Sequence, residues 1–161
     1  MGVVGRNGVG KTTLFKLILN EIILDGGVIE VPKNYKIGYV SQEAPSTEIT
    51  LLDTVLKSDI ERSQLLYNAQ IEKDPNKIAE IHTRLSDINA YSAEARASSI
   101  LNGLGFCKDD LIKPCSSFSG GWRMRVALAS VLFSNPELLL LDEPTNYLDF
   151  EGSVWLENYL Q

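Results

Sequence analysis

Nine residues near the start, Gly5-Arg6-Asn7-Gly8-Val9-Gly10-Lys11-Thr12-Thr13, constrain this chain more than any other stretch. They follow a short apolar run, Val3-Val4, and open an apolar-periodic segment over residues 14–19. The order is strand, glycine loop, helix. The spacing G-x-x-x-x-G-K-[ST] is that of a phosphate-binding loop. Gly5, Gly8 and Gly10 let backbone N–H groups turn inward as a nest for phosphate oxygens, with Arg6, Asn7, Val9 and Thr13 completing the cradle. A helix starting near Lys11 aims its positive end at the same point. Lys11 is placed to reach β- and γ-phosphates, and the Thr12 hydroxyl to hold Mg²⁺. A Gly-rich turn with an incidental lysine satisfies the spacing less well than this strand–loop–helix context does.

Strand and helix signals alternate around that loop. Asp25-Gly26-Gly27 reads as a turn before a strand, Val28-Ile29-Glu30-Val31. Pro32-Lys33-Asn34 turns the chain into a second strand, Lys36-Ile37-Gly38-Tyr39-Val40, with Gln42 just beyond it. Residues 46–117 change character and are rich in helix formers. Thr50-Leu51-Leu52-Asp53 fits a helix-opening capping pattern. Asp74-Pro75-Asn76 separates two helical stretches, and Ile78, Ile81, Leu85 and Ile88 make one apolar helix face. Ser92 is placed to cap a further helix ending at Gly103 or Gly105. From residue 118 the α/β pattern returns. A helix is expected from Trp122 to Phe133. The run Leu138-Leu139-Leu140-Leu141 then fits a strand buried on both faces of a parallel sheet. The resulting expectation is an α/β fold: a P-loop NTPase-like core with a mainly parallel sheet over 1–45 and 134–161, plus an inserted α-helical subdomain over 46–133. An ordinary run of crossover helices is the alternative for the insertion.

Asp142 and Glu143 end the apolar run, where α/β sheets place ligands. Asp142 is suited to a second Mg²⁺ contact opposite Thr12. On a continuing strand the Glu143 side chain points away from Asp142 and is suited to orient or deprotonate an attacking water. The bland reading is a buried strand capped by acids. Gln42 is either a solvated loop residue or a neutral ligand to a metal–phosphate site. Ser119-Gly120-Gly121 before a helix is either a second anion-binding turn or a plain N-cap.

Composition narrows the field. The chain has 161 residues, enough for one core, with 44% hydrophobic and 22% charged residues, as in ordinary globular domains. Its net charge of −6 argues against nucleic-acid binding by this chain alone. The tight basic pair with aromatic company is Trp122-Arg123-Met124-Arg125. No apolar run approaches the ~18–20 residues that span a bilayer. Cys107 and Cys115 lack metal-type spacing, which fits free thiols in a reducing cytoplasm. His82, the one histidine, fits a solvated helix position.

Five pieces stand in order: GRNGVGKTT, Gln42, FSGGW, LLLLDEPTN and Asp149. Together they resemble the nucleotide-binding domain of an ATP-binding-cassette (ABC) protein. The resemblance implies ATP and Mg²⁺ as cofactors and ATP hydrolysis as the reaction. It makes residues 5–13 the Walker A loop, Gln42 the Q-loop glutamine and metal ligand, and residues 118–122 the signature, with Ser119, Gly120 and Gly121 on nucleotide. It makes residues 138–142 Walker B, Glu143 the catalytic glutamate and residues 146–149 the D-loop. A narrower likeness lies in FSGGWRMRVALA and LLLLDEPTNYLDFEGSVWLENYL, which resemble the ABC-F branch, whereas transporter cassettes usually carry LSGGQ. The stretches Ala93-Glu94-Ala95-Arg96 and Leu104-Gly105-Phe106 resemble the first of two cassettes in bacterial ABC-F proteins.

That branch implies a soluble protein with a second cassette as partner, in cis or head to tail, and ribosomal RNA and protein as the surface on which it acts in translation. The ATP-binding subunit of a membrane transporter is the alternative, since its site chemistry is the same. Tyr147 departs from the histidine common in ABC-F. The strands that bring an adenine-stacking aromatic and the switch histidine are not in this sequence. The expectation is an interior fragment that binds ATP weakly and has negligible turnover alone.

Overall fold

The computed structural model describes residues 6, 9–32, 35–40 and 45–161. The strand expected at Val3-Val4, and Gly5, Asn7, Gly8 and Gln42, lie outside the described residues.

Helix α1 (Lys11–Ile18) begins where the glycine loop ends. Gly10 is its N-cap with φ 99°, a left-handed conformation that a β-carbon disfavours, so glycine lets the loop turn directly into the helix. None of the α1 residues is buried. Strand β1 (Ile37–Tyr39) forms within the expected segment and pairs in parallel with β2 (Leu138–Leu140), Ile37 opposite Leu138 and Tyr39 opposite Leu140. Polar contacts fix this register. The Lys36 N–H donates to Glu137 Oε2 at 2.7 Å, and Lys36 Nζ donates to the Ser134 carbonyl at 2.7 Å. Gly38 is buried against Pro136 and Val131, where a β-carbon would collide with both.

Two expectations for the sheet change. Residues 28–31 form no strand; residues 21–30 are all exposed, and no ladder partner for them exists among the described residues. High β-propensity becomes a strand only where a neighbour and a packed face are supplied. Nor is the 138–141 run buried on both faces. Leu140 is buried, whereas Leu138, Leu139 and Leu141 are half-buried, because β1 alone of the described strands lies beside β2.

The helical stretch follows its local signals closely. Helix α2 (Leu51–Lys57) opens on Thr50, whose Oγ1 accepts from the Asp53 N–H at 3.1 Å and donates to Asp53 Oδ2 at 2.8 Å. Helix α3 (Ile60–Ile71) is capped by Asp59, and α4 (Pro75–Asp87) by Asp74 with Pro75 at its first turn, where a missing N–H costs nothing. On α4 only Leu85 of the expected apolar face is buried. Helix α5 (Ala93–Gly103) follows Ser92, but that hydroxyl donates to the Asn89 carbonyl at 3.1 Å instead of capping. Helix α6 (Gly120–Phe133) starts two residues before the expected Trp122, with Ser119 as N-cap. Helix α7 (Phe150–Tyr159) is capped by Asp149, which accepts from the Gly152 N–H at 2.8 Å.

The core lies among α2, α5 and α6. Leu51, Val55, Ala97, Ile100, Leu101, Val126, Ala129, Leu132 and Phe133 form one buried cluster, and Leu139, Leu141 and Trp155 pack on its edge. Each large apolar side chain so buried contributes about 1.5–3 kcal/mol. This packing sets α6 and the rest of the core against the two-stranded sheet, with Leu139 of β2 on the cluster's edge, and so fixes where the chain after β2 emerges.

Candidate functional site

The N-terminal end of α1 and the C-terminal end of β2 meet at a cavity of about 420 Å³. Gly10, Lys11, Thr12 and Thr13 line one side and Asp142, Glu143, Pro144 and Asn146 the other; Tyr39, Met124, Arg125 and Leu128 are also part of the wall. No side chain caps α1, and the first turn of any α-helix presents N–H groups that lack intrahelical partners. The site therefore offers amide donors and a positive helix end beside an ammonium.

Two contacts join α1 to the residues after β2. Thr12 Oγ1 donates to Asp142 Oδ2 at 2.6 Å. Lys11 Nζ lies 3.8 Å from Glu143 Oε1 and also donates to the Arg6 carbonyl at 3.3 Å. Glu143 is fixed from its other side by Asn146, whose Nδ2 donates to Glu143 Oε2 at 2.9 Å.

Glu143 does not alternate with Asp142 along a strand, as expected from the sequence. β2 ends at Leu140, and Glu143 has φ 46° and ψ 52°, opening the 3₁₀ turn Pro144–Tyr147. The left-handed backbone directs both carboxylates to the same end of α1, Asp142 onto Thr12 and Glu143 toward Lys11. A non-glycine residue held at positive φ stores strain that the surroundings must sustain, and such residues cluster at functional sites.

The oxygen pair of Thr12 and Asp142 is hard, close and accessible from the cavity. That donor set suits Mg²⁺, which takes one or two protein oxygens and fills its other positions with phosphate and water. Among the described residues no group of three or more His, Cys, Asp or Glu is placed to hold a metal by itself. In the wall, burial and then the charges of Asp142 and Glu21 raise the Tyr39 phenol above its ordinary pKa, so it stands there as a neutral hydroxyl.

Arg6, Val9 and Thr13 are exposed around the start of α1. Ser119, Gly120 and Gly121 are exposed at the start of α6 and do not line the cavity. His82, on exposed α4, has Nδ1 3.0 Å from the Tyr91 hydroxyl. Cys107 and Cys115 are free thiols, one exposed and one buried.

Sequence reasoning missed the role of Arg125. It is 8% exposed and donates three hydrogen bonds: Nε to the Tyr147 carbonyl at 2.7 Å, and one terminal nitrogen to the Leu104 carbonyl at 2.9 Å and Asp149 Oδ2 at 3.1 Å. Its guanidinium also lies 4.4 Å from the centroid of the Trp122 ring. The Gly152 N–H, and then Arg125, hold the Asp149 carboxyl below its usual range. The available signal was the Trp122–Arg125 spacing of three on one helix, which places the two side chains together.

Known proteins resemble this chain in sequence and in fold. The pattern of the family described as ABC transporter matches residues 1–146. The Haemophilus influenzae protein named "Probable ATP-binding protein YheS" is 44% identical over 163 residues, covering 99% of this chain and 26% of that protein. Human ATP-binding cassette sub-family F member 3 is 46% identical over 171 residues, covering 99% of this chain and 23% of that protein. This chain thus spans about a quarter of the length of these relatives. Among solved structures, the archaeal ribosome recycling factor aABCE1, in complex with the ribosomal stalk protein aP1, superposes with a TM-score of 0.65 at 25% identity over 99% of this chain and 25% of that one. Its fold is accordingly the α/β fold of P-loop ATPases. Among the described residues no helix is long and apolar enough to cross a membrane. The chain belongs to the ABC transporter family.

Proposed function

We propose that this chain is an ATP-binding cassette that binds Mg²⁺-ATP between α1 and the residues after β2 and, within a longer two-cassette protein, hydrolyses it in the course of translation on the ribosome. The single observation that carries the reading is the joining of the α1 N-terminus to the end of β2 by Thr12–Asp142 and Lys11–Glu143. Amides of the first helical turn and the Lys11 ammonium receive the phosphates. Thr12 and Asp142 hold the metal, which when bound neutralises charge on the β- and γ-phosphates. With nucleotide present, Lys11 exchanges its Glu143 contact for phosphate, and the Glu143 carboxylate is released to orient the attacking water. Gln42 serves as a further ligand at the metal–phosphate site.

The exposed Ser119-Gly120-Gly121 turn is not part of this cavity's lining and is offered to the nucleotide of a second cassette, packed head to tail. Two such sites, each completed by the opposite signature, clamp while ATP is intact and part after hydrolysis. Support for the ribosomal setting comes from the sub-family F relative and from the likeness to the ribosome recycling factor.

The test is nucleotide binding by the 161-residue chain in Mg²⁺. Wild type is expected to bind ATP, and Lys11→Ala to weaken binding roughly tenfold or more, the loss of a charge-assisted contact to phosphate. Equal affinity in the two proteins sinks the phosphate-loop reading. For the parent protein, Glu143→Gln is expected to keep it on ribosomes in the presence of ATP. Co-purification with a membrane permease and not with ribosomes would assign the transporter role instead.

A further inference from the structure

Arg125 is a buried cation whose hydrogen bonds reach three acceptors on two separate stretches of chain. One is the end of the helical body, at the Leu104 carbonyl. The others are the Tyr147 carbonyl and the Asp149 carboxylate, which bracket the end of the turn Pro144–Tyr147. A buried guanidinium is costly unless paired and hydrogen-bonded, so these contacts hold one another in place. The environment leaves little slack. Trp122 covers one face of the guanidinium, and Gly105, at φ 98°, brings its backbone so near that a β-carbon would strike a terminal nitrogen of Arg125. Trp122 in turn packs edge-on against Phe106, with ring centroids 5.0 Å apart.

The turn that Arg125 grips carries Asn146, and Asn146 is the residue that fixes the second oxygen of Glu143. Glu143 itself is exposed and sits on a left-handed backbone, and its described contacts are polar ones with Lys11 and Asn146. A continuous line of contacts therefore leads from the signature helix through Arg125 and the turn to Glu143.

We propose that Arg125 is a positioning residue for Glu143: it anchors the 144–149 segment to α6, so that Asn146 holds the glutamate carboxylate at the mouth of the cavity. The proposal rests on the reading of Glu143 as the water-directing carboxylate. It adds that movement of α6, which bears the signature turn at its N-terminus about one turn before Arg125, is transmitted to that carboxylate.

The experiment uses the 161-residue chain with Arg125→Lys, Asp149→Asn and Asn146→Ala. Asp149→Asn keeps an N-cap for α7 while removing the charge that Arg125 meets. Arg125→Lys keeps the charge but cannot reach acceptors in three directions. The first readout is the pair of Asn146 side-chain amide resonances, with Glu143→Gln as the reference for the lost carboxylate. Both variants are expected to shift those resonances toward the Glu143→Gln position while amides of α2 stay in place. Unmoved resonances in folded Arg125→Lys and Asp149→Asn overturn the proposal.

The second readout is ATP turnover. Each of the three variants is expected to lower kcat about ten- to a hundredfold with KM nearly unchanged, as misplacement of a catalytic group does. Lower thermal stability with wild-type kcat would reduce Arg125 to a staple and overturn the positioning role. Absence of turnover in the isolated wild-type chain accords with hydrolysis that needs a second cassette, and the amide resonances then decide the Arg125 proposal by themselves.

Discussion

Helices α6 and α1 face each other across one cavity and are held by opposite means. α6 buries half of its fourteen residues, among them Val126, Leu132 and Phe133 in the main core. α1 buries none of its eight, and its described ties to the opposite wall are the polar contacts of Lys11 and Thr12. One wall of the site is thus set by the fold, whereas the other is set by groups that a nucleotide would engage. A helix whose position is fixed chiefly by ligand-side groups gains order when ligand arrives, because whatever binds the folded form stabilises it by mass action. The body supplies a fixed edge with Asp142 and Glu143 on it, and α1 supplies the part that responds.

The sharpest way to break this contrast is to remove equivalent apolar bulk from each helix. Leu132→Ala, at a position 2% exposed, is expected to cost about 2–5 kcal/mol in urea unfolding, transfer and cavity terms together. Leu14→Ala on α1, 37% exposed, is expected to stay within about 0.5 kcal/mol. Comparable losses for the two would show that α1 is packed as firmly as α6.

Nucleotide should act in the reverse order. At one hundred times its Kd, Mg²⁺-ATP is expected to stabilise the chain by about 2.7 kcal/mol. Backbone amide exchange should slow most in α1 and least in α2 and α5, where the core is complete without ligand. Uniform protection over α1 and α2 would mean that the two walls respond as one body.

How much of this was legible in the sequence divides along the same line. Local chemistry was readable. The glycine loop ends in an uncapped helix at Lys11, Thr50 caps α2 through Asp53, and Asp74-Pro75 separates α3 from α4. Each of these depends on neighbours within four residues, so spacing alone carries it. What needs a distant partner was not readable. Residues 28–31 have strand-forming side chains but no ladder beside them among the described residues. Glu143 departs from strand geometry because β2 stops at Leu140 and the Pro144 turn begins at once. Arg125 looked like half of a basic pair, and its burial depends on the Leu104 and Tyr147 carbonyls, which are backbone atoms with no signature in sequence. The two carboxylates of the site were found by pattern; the arrangement that holds one of them was found only in three dimensions.

The capping difference offers a smaller test. Thr50→Ala removes the acceptor for the Asp53 N–H and is expected to cost about 1 kcal/mol of the helical body's stability, read from the midpoint of thermal or urea unfolding. α1 has no side-chain cap to lose, and Gly10 serves it through conformation instead. Space around Gly10 is open, with Thr13 Cβ at 4.0 Å from a built β-carbon, so Gly10→Ala acts through its positive φ alone. Its effect should appear in nucleotide affinity more than in the unfolding midpoint, because the strain falls on the wall that carries little of the core.

The smallest effect expected is electrostatic and belongs to the body. Asp110 accepts from Cys107 Sγ at 3.0 Å, from Lys113 Nζ at 2.8 Å and from the Cys107 N–H at 3.0 Å. These contacts, the Cys107 thiol first, lower its pKa from 3.8 to about 2. A carboxyl whose pKa is lower in the folded chain binds fewer protons there than in the unfolded one, so its contribution is present above pH 3.8 and fades as pH falls through about 2. Asp110 lies at the surface with its side chain still reached by solvent, where water and salt screen such contacts, so the contribution is small. Asp110→Asn should therefore leave the melting temperature nearly unchanged below pH 2 and lower it slightly at neutral pH, flattening the acid limb between those values. Asp149, at the boundary between α6 and the cavity turn, also has a lowered pKa, and it keeps an acid-sensitive contribution of its own in that variant. If Asp110→Asn removes the whole acid dependence, the boundary contact of Asp149 with Arg125 contributes nothing to folding, and the two walls are tied more weakly than the Arg125 geometry indicates.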